Sequence, residues 1–319
     1  MIIVCATDNN FVQHCTIMIV SVLTNNPDIE VYILTDGLTE KNEKILHEEV
    51  GRLGGKLHIC IVDDEMINAL PLSKDKGLNH ISKATYYRLM ISDLLPEVDK
   101  VIYLDCDIVV HGSLKELWET NISDYAIAAV LQIGHGFEAE RLGYPMSYGY
   151  FNAGVNMLNL KYFREYGIKE ALFKYAEENS EKLLYNDQDI LNAVLFDKCL
   201  HLLPMWNMTS MAYDPYLRHR GDVKEGQVTN IFKKEKENIM KYKNTPIVLH
   251  YVSKPKPWQK GCYHPLSQLY YYYARKTINF KDIEQECAFN RKMSILKYRL
   301  RCFASNIKQA IKKTDNSRV

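Results

Sequence analysis

Short apolar runs alternate along the first hundred residues with longer segments whose apolar positions recur every three or four residues. Uninterrupted apolar runs are typical of strands buried on both faces, whereas helical spacing predicts amphipathic helices. The predicted strands are 2–6, 30–34, 57–62 and 101–104, and the predicted helices are 11–23, 39–53 and 83–95. This alternation predicts an α/β fold with a mostly parallel central sheet flanked by helices.

Residues at the ends of the predicted helices agree with this division. Thr39 and Ser82 are expected N-caps, because their side chains can accept a hydrogen bond from the first helical turn. Gly54 and Gly55 stop the second helix, and Pro96 ends the third because it cannot continue a helical backbone.

The second half of the chain is more mixed. Strands are predicted at 126–131, 153–158 and 247–250, and helices at 160–179 and 187–196. Residues 204–245 are rich in Pro, Asn and Gly, which predicts a loop region that could form an acceptor surface. The clear boundary lies near residue 290, which predicts a main domain over 1–290 and a separate tail over 291–319.

Composition narrows the class of protein. The 319 residues are 47% hydrophobic and 25% charged, which excludes a disordered or fibrous chain. A net charge of +1 gives no reason to expect nucleic-acid binding. Eight scattered cysteines without a C-x-x-C pair predict neither a zinc site nor a disulfide framework. Because no apolar run reaches the ~18 residues of a membrane span and no signal peptide precedes the first strand, we expect a cytoplasmic protein.

The tail differs in charge from the rest of the chain. Residues 291–319 carry nine Lys and Arg and one acid, whereas residues 1–290 carry 31 basic and 38 acidic residues. From Met293 to Ala310 the apolar residues recur at alternating spacings of three and four, which predicts one face of a helix. A basic amphipathic helix is typical of peripheral binding to an anionic membrane surface, here the inner face of the plasma membrane. Docking on the acidic body is the alternative.

Two aspartates follow the fourth predicted strand in the run VIYLDCDIVV. In an extended segment Asp105 and Asp107 would point to the same side, where both carboxylates could bind one cation. Oxygen ligands suit Mg²⁺ or Mn²⁺, and His250 at the end of the last strand would favour Mn²⁺ as a third ligand. Solvated turn aspartates and a structural histidine are the alternative interpretation.

Other polar residues also follow predicted strands or open predicted helices. Asp8, Asn9 and Asn10 follow the first strand, at the edge where such sheets bind ligands. Asp187 and Gln188 open a helix, where they could bind sugar hydroxyls or cap the helix. Small residues at 152–154, before a predicted strand, would allow close approach of a ligand or form a tight turn. Lys256 could provide a point charge to a diphosphate.

Seven segments together resemble glycosyltransferase family 8, the retaining galactosyl- and glucosyltransferases, over nearly residues 1–280. In chain order they are ATDNN, HISKATYYRL, YLDCDIVV, SLKELW, FNAGVNMLNL, YNDQDILN and HYVSKPKPW. The resemblance implies a GT-A fold and transfer of a hexose from a UDP-sugar to a glycan or glycolipid in lipopolysaccharide or other cell-surface polysaccharide synthesis.

The resemblance also implies roles for individual residues. Asp105, Asp107 and His250 would bind Mn²⁺, with Mg²⁺ as the alternative, and the uridine would lie against Ala6 to Phe11. Asp187 would hold sugar hydroxyls, and Gln188 would lie beneath the anomeric carbon; these two are the implied catalytic residues. The implied nucleotide-sugar site comprises Ala6, Asp8, Asn9, Asn10, Phe11, Arg88, Asp105, Cys106, Gln132, Asn152, Ala153, Gly154, Asp187, Gln188, Ser253 and Lys256.

Two positions depart from the family pattern. Gln132 stands where the galactosyltransferases have an aspartate, so recognition of the sugar hydroxyls could differ. Ser253 replaces a glycine near the diphosphate. Because Gln188 is a poor nucleophile, we expect the acceptor to attack from the same face that the diphosphate leaves.

Two other activities compete with this interpretation. Haloacid-dehalogenase-like enzymes for phosphoryl transfer also place Asp-x-Asp after a strand, and would use Asp105 and Asp107. Self-glucosylation, as in the glycogenin branch of the same family, is suggested by the four consecutive tyrosines at 270–273.

Overall fold

The computed structural model describes residues 1–62, 83–132, 137–213, 230–252 and 254–283, together with residues 65, 67, 70, 296 and 300. Its strands are β1 (Ile2–Ala6), β2 (Glu30–Thr35), β3 (Lys56–Ile61), β4 (Lys100–Leu104), β5 (Ile108–Val110), β6 (Ile127–Leu131), β7 (Phe151–Asn159), β8 (Cys199–His201), β9 (Met208–Thr209) and β10 (Val248–His250).

Helices connect the strands and cover the sheet. The α-helices are α1 (Val12–Asn25), α2 (Glu40–Arg52), α3 (Ile91–Leu94), α4 (Lys115–Glu119), α5 (Glu138–Leu142), α6 (Leu160–Glu165), α7 (Ile168–Glu178), α8 (Asp187–Leu195), α9 (Asn230–Tyr242) and α10 (Ser267–Ala274). Segments of 3₁₀ helix are Lys83–Met90, Met146–Tyr148, Ser180–Lys182, Phe196–Lys198, Pro204–Trp206, Ser210–Tyr213 and Lys281–Ile283.

The central sheet has seven strands in the order β3-β2-β1-β4-β7-β6-β8. The pairings among β3, β2, β1 and β4 are parallel, as is β6 with β8, whereas β7 runs antiparallel to both of its neighbours. This is the mostly parallel α/β architecture that the sequence predicts.

Strand β4 shows why its residues form an uninterrupted apolar run. Ile102 and Leu104 pack with Met18 of α1 on one face of the sheet, and Val101 and Tyr103 face the opposite core. These four residues, which follow the partly buried Lys100, are all buried. A central strand covered on both faces requires apolar side chains at every position.

A smaller sheet, in the order β5-β10-β9, extends from the end of β4. The chain turns through Asp105, Cys106 and Asp107 between β4 and β5 rather than continuing as an extended strand. Strand β10 then pairs antiparallel with β5, which places His250 opposite Ile108. This pairing brings His250 next to the two aspartates although it lies far away in sequence.

Several local signals of the first half are confirmed. Strand β1 has the predicted bounds, and Thr39 is the N-cap of α2, where its Oγ1 accepts a hydrogen bond from the Asn42 amide at 3.3 Å. Gly54, just beyond α2, has a φ of 75°, a conformation that glycine adopts at no steric cost.

Four predicted elements differ from the structure. The predicted helix 83–95 is a 3₁₀ helix followed by the short α3, and its expected cap Ser82 lies outside the described residues. The predicted helix 160–179 is divided into α6 and α7 by Gly167, whose φ is 60°. Asn152, Ala153 and Gly154 lie within β7, not before it. The supposed loop region 204–245 contains α9.

The predicted tail lies almost entirely outside the described residues. Leu296 and Leu300 are described, and about half of each side chain is exposed. Among the described residues, no helix has both the length and the apolar character needed to cross a membrane.

Candidate functional site

Two carboxylates and one imidazole converge at the edge of the sheet, beyond the end of β4. His250 Nε2 lies 3.0 Å from Asp107 Oδ1 and 3.7 Å from Asp105 Oδ2. One ligand atom from each of the three residues lies within 4.8 Å of the other two. This donor set of hard oxygens and one nitrogen fits a divalent cation such as Mn²⁺ or Mg²⁺.

Asn207 fixes the orientation of the His250 imidazole. His250 Nδ1 lies 3.0 Å from Asn207 Oδ1, while Asn207 Nδ2 donates to Asn152 Oδ1 at 2.7 Å. The backbone amide of Gly154 donates to the same Asn152 oxygen at 3.0 Å, which fixes the orientation of both amides. With Nδ1 engaged by Asn207, Nε2 is the ring nitrogen that faces the two carboxylates and is the atom that could bind a metal.

Lys256 lies beside the aspartates and is buried. Its Nζ lies 2.5 Å from Asp107 Oδ2 and also donates to the carbonyl oxygen of Tyr251. Burial alone would raise the pKa of Asp107, but Lys256 and His250 outweigh it and hold this pKa well below its ordinary value. Asp107 is therefore ionised and ready to bind a cation.

Arg88 joins the turn that carries Asp105 to α8. Its Nη2 lies 2.7 Å from Asp105 Oδ1, and its Nε lies 2.9 Å from Asp187 Oδ2. The guanidinium stacks on the ring of Tyr103 at 4.1 Å. Burial raises the pKa of Asp187 to about 6, against the opposing effects of Arg88 and a hydrogen bond from Thr85. Asp105 and Asp187 thus share Arg88 as one buried counter-ion.

Gln188 is held against β7. Its Oε1 accepts hydrogen bonds from the Ala153 amide and from Asn152 Nδ2, both at 3.0 Å. Because a backbone N–H can only donate, the atom facing Ala153 is the carbonyl oxygen of Gln188. Both acceptor positions of that oxygen are occupied.

The turn after β1 is organised by its own polar side chains. Asp8 Oδ1 accepts from the amides of Asn10 and Phe11 at 2.9 and 3.1 Å, which fixes the start of α1. Asn9 donates to the Gly37 carbonyl and accepts from the amide of Thr39. The side chain of Asn9 therefore ties β1 to the loop after β2, a contact that the sequence did not reveal.

The remaining predicted residues are Cys106, Gln132 and Ser253. The thiol of Cys106 donates to the Ala6 carbonyl at 3.2 Å. Gln132 is buried, its Nε2 lies 2.8 Å from the sulfur of Met211, and its Oε1 is without a partner among the described residues. Ser253 lies outside the described residues.

The structure thus brings most of the predicted residues into direct contact around Asp105 and Asp107. The group comprises Arg88, Asp105, Asp107, Asn152, Ala153, Gly154, Asp187, Gln188, His250 and Lys256. Asn207, which orients the imidazole, was not predicted as a site residue, because the only motif there is an Asn-x-Thr sequon and the neighbouring β9 is only two residues long.

The chain was compared with known proteins. The family model "Glycosyl transferase family 8" matches residues 2–262. General stress protein A of Bacillus subtilis is 28% identical over 284 residues, which cover 87% of this chain and 94% of that protein. The lipopolysaccharide 1,3-galactosyltransferase of Salmonella typhimurium is 26% identical over 274 residues, which cover 82% of this chain and 74% of that protein.

The fold agrees with these sequence relationships. The crystal structure of the galactosyltransferase LgtC, in complex with donor and acceptor sugar analogs, superposes with a TM-score of 0.77 at 25% identity. The match covers 90% of this chain and 99% of LgtC, so the architecture is the GT-A fold. The chain belongs to glycosyltransferase family 8.

Proposed function

We propose that this glycosyltransferase transfers a hexose, glucose or galactose, from a UDP-sugar to a glycan or glycolipid, with retention of configuration and with a divalent metal. The observation that carries the proposal is the convergence of Asp105, Asp107 and His250, with Nε2 of the imidazole turned towards both carboxylates. Relatives named as a lipopolysaccharide 1,3-galactosyltransferase and a lipopolysaccharide glucosyltransferase support a hexose and a cell-surface acceptor.

A bound Mn²⁺ or Mg²⁺ would supply Lewis-acid stabilisation to a departing diphosphate. Lys256 adds a fixed positive charge beside Asp107, where it can meet a second phosphate oxygen. The turn from Ala6 to Phe11 is the proposed uridine site, because it lies at the carboxyl end of β1.

The proposed sugar site lies between β7 and the start of α8. Asn152, Ala153 and Gly154 form its wall, and Asp187 is the proposed acceptor for sugar hydroxyls, held in place by Arg88. Gln132 and Ser253 remain proposed donor contacts. Gln132 has a buried oxygen that a hydroxyl could satisfy.

The chemistry that fits this site is attack from the face of departure. The acceptor oxygen bonds to the anomeric carbon, the bond from that carbon to the phosphate oxygen breaks, and the departing phosphate takes the acceptor proton. A double displacement would need a free carboxylate, but among the described residues at this site Asp187 is paired with Arg88 and Asp189 is enclosed. The oxygen of Gln188 is occupied by two donors.

Phosphoryl transfer loses support, and self-glucosylation is restricted to one tyrosine of the run. Membership of a glycosyltransferase family argues against phosphoryl transfer at Asp105 and Asp107. In the tyrosine-rich α10, Tyr270, Tyr271 and Tyr273 are buried in a hydrophobic cluster and serve packing, which leaves the exposed Tyr272 as the side chain of this run that self-glucosylation could use.

We also propose that the protein acts in the cytoplasm and associates peripherally with an anionic membrane through residues 291–319. Co-sedimentation of the full chain with phosphatidylglycerol vesicles tests this. Replacement of Lys297, Arg299 and Arg301 by Glu should abolish binding, and equal binding by this variant would refute the proposal.

A donor screen tests the proposed reaction. Purified protein is mixed with Mn²⁺ and a panel of UDP-sugars, and slow hydrolysis is followed as UDP release. We expect release from UDP-glucose or UDP-galactose that stops with EDTA and returns with excess Mn²⁺. Asp107→Asn should be inactive while still folded, which circular dichroism checks because the change also leaves Lys256 without its buried partner. Turnover that persists in EDTA would contradict the metal-dependent mechanism.

A further inference from the structure

Asp189 is a fully buried carboxylate with a complete set of hydrogen bonds. Arg141 reaches it with both Nη atoms, at 2.8 and 3.1 Å, and the hydroxyl of Tyr150 donates to Oδ1 at 2.7 Å. The backbone amides of Leu184 and Tyr185 donate to Oδ2 at 2.7 and 2.8 Å. Five donors leave this carboxylate no lone pair for a sugar, although it lies next to Gln188 in sequence.

Arg141 is itself fixed from three sides. Its guanidinium lies 2.6 Å from a carboxylate oxygen of Glu138 on the same helix, α5, and donates to the backbone carbonyl of Lys182. The two-pronged contact with Asp189 is the geometry that a guanidinium provides and an ammonium does not. Asp189 therefore occupies one position with one orientation.

Tyr150 connects Asp189 to Gln188. The tyrosine is fully buried immediately before β7, and burial raises the pKa of its hydroxyl, while a hydrogen bond from the Gln188 side chain opposes that rise. Because the hydroxyl proton of Tyr150 already goes to Asp189 Oδ1 at 2.7 Å, the tyrosine oxygen can only accept from Gln188, so the amide nitrogen of Gln188 faces Tyr150. The carboxamide of Gln188 is therefore held at both ends, by Tyr150 at nitrogen and by β7 at oxygen.

The backbone before Gln188 needs the same support. Asn186 has a φ of 48° with a ψ of −122°, a backbone conformation that residues other than glycine rarely adopt. Asp189 accepts hydrogen bonds from the backbone amides of Leu184 and Tyr185, which lie just before Asn186. Asp189 thus stabilises the strained turn that begins α8 and delivers Gln188 to β7.

We propose that Arg141, Asp189 and Tyr150 are positioning residues that fix the carboxamide of Gln188 beneath the reacting sugar carbon. The inference rests on the proposed function, because it assigns these residues to the same sugar site. It also assigns Asp189 a task other than that of a nucleophile. None of the three needs to touch the donor.

Tyr150→Phe tests the relay because it removes one hydroxyl and keeps the ring. The assay is UDP release with Mn²⁺, using whichever of UDP-glucose and UDP-galactose the wild-type protein turns over. We expect kcat to fall about tenfold to a hundredfold, because small misplacements of reacting groups cause losses of this size. The KM for the donor and the Kd for UDP with Mn²⁺, measured by calorimetry, should change less than about twofold.

Tyr144→Phe is the matched control. Tyr144 is also buried, and its hydroxyl donates to the Gly149 carbonyl at 3.0 Å, so the variant loses a comparable buried hydrogen bond. Its kcat should equal that of the wild type. A matching loss of kcat in Tyr144→Phe would overturn the proposal, since the effect would then be general to this core.

A double-mutant cycle asks whether Tyr150 acts through Gln188. The kcat of Tyr150→Phe/Gln188→Ala should match that of Gln188→Ala alone to within about twofold, because the relay has no purpose without its target. If the loss of kcat in the double variant equals the product of the two single-variant losses, the proposal is overturned. Should Tyr150→Phe fail to fold, Arg141→Lys carries the same test, with a lower kcat at unchanged KM expected.

The two proposals fail in different ways. A wild-type protein that releases UDP from no donor refutes the proposed function. A wild-type protein that turns over a donor, together with a Tyr150→Phe variant of unchanged kcat, refutes the relay alone.

Discussion

The α-carbon of Gly154 lies directly against the imidazole of His250. A β-carbon at residue 154 would overlap that ring and lie 2.7 Å from Oδ2 of Asp105. The backbone cannot retreat easily, since Gly154 lies within β7 and its carbonyl accepts a hydrogen bond from the amide of Asp105 at 2.9 Å. Glycine is therefore the residue that lets β7 carry the proposed wall of the sugar site directly beneath the proposed metal ligands.

Gly154→Ala should displace the ligands without unfolding the protein. The added methyl group pushes His250 and Asp105 apart, so we expect the affinity for Mn²⁺ to fall about tenfold to a hundredfold, the usual cost of disturbing ligand orientation. Calorimetric titration with Mn²⁺ measures this. Gly51→Ala in α2 is the control, because nothing lies within 4 Å of a β-carbon there. Unchanged affinity in Gly154→Ala would show that the triad adapts.

Lys256→Met should affect metal and nucleotide in opposite directions. The ammonium lies 2.5 Å from Asp107 Oδ2 and repels a cation bound to that carboxylate, so its removal should raise Mn²⁺ affinity about tenfold. The same change removes a positive charge from the proposed diphosphate site, so affinity for UDP at saturating Mn²⁺ should fall. Separate titrations of Mn²⁺ and UDP decide this. A parallel fall in both affinities would mean that Lys256 chiefly supports the fold.

Arg88→Gln should be strongly destabilising. The guanidinium is buried between Asp105 and Asp187, and removing it leaves two partly desolvated carboxylates without a counter-ion. Breaking such a buried pair costs about 3–5 kcal/mol of unfolding free energy, measurable by urea denaturation. Adding Asp187→Asn to the same chain should restore part of the loss, because it removes one of the unpaired charges.

Arg164→Gln is the control for this experiment. Arg164 pairs with Asp99 at 2.9 Å, but Asp99 is largely exposed, so this change should cost less than about 1 kcal/mol. Equal costs for the two arginine variants would mean that the Arg88 bridge contributes no more than a surface ion pair.

Much of the first half of the fold could be predicted, because local sequence determines it. The strands β1 and β4 are buried on both faces and read as continuous apolar runs, and Thr39 caps α2 as its side-chain chemistry predicts. The two aspartates were predictable as well, since parallel strands present their carboxyl ends to the ligand edge.

The errors come from residues whose conformation depends on distant contacts. Asn, Ala and Gly have low strand propensity, yet residues 152–154 belong to β7 because β4 lies beside them. The average composition of 204–245 predicts loops, although 230–242 contains neither Pro nor Gly and forms α9. Asn207 gives no local signal, because its importance arises only when β9 pairs with β10 and brings it to His250.

His14 should make the protein sensitive to mild acid. The imidazole is buried, stacks on Trp258 at 3.8 Å, and lies 2.7 Å from the hydroxyl of Tyr270. Burial lowers its pKa from 6.5 to about 4. Between these values the unfolded chain binds a proton that the folded protein excludes, so stability rises with pH across this window and is lost as pH falls through it.

The size and the control of this effect follow from the same linkage. A depression from 6.5 to about 4 corresponds to at most about 3 kcal/mol of unfolding free energy, lost between pH 6.5 and pH 4. Urea denaturation in EDTA at several pH values should show this loss in the wild type and a smaller one in His14→Gln, whose amide cannot take up the proton. His47→Gln, at an exposed position of α2, controls for the removal of a histidine. Identical pH dependence in the wild type and His14→Gln would mean that His14 is protonated in the folded protein, with Tyr270 accepting its hydrogen bond.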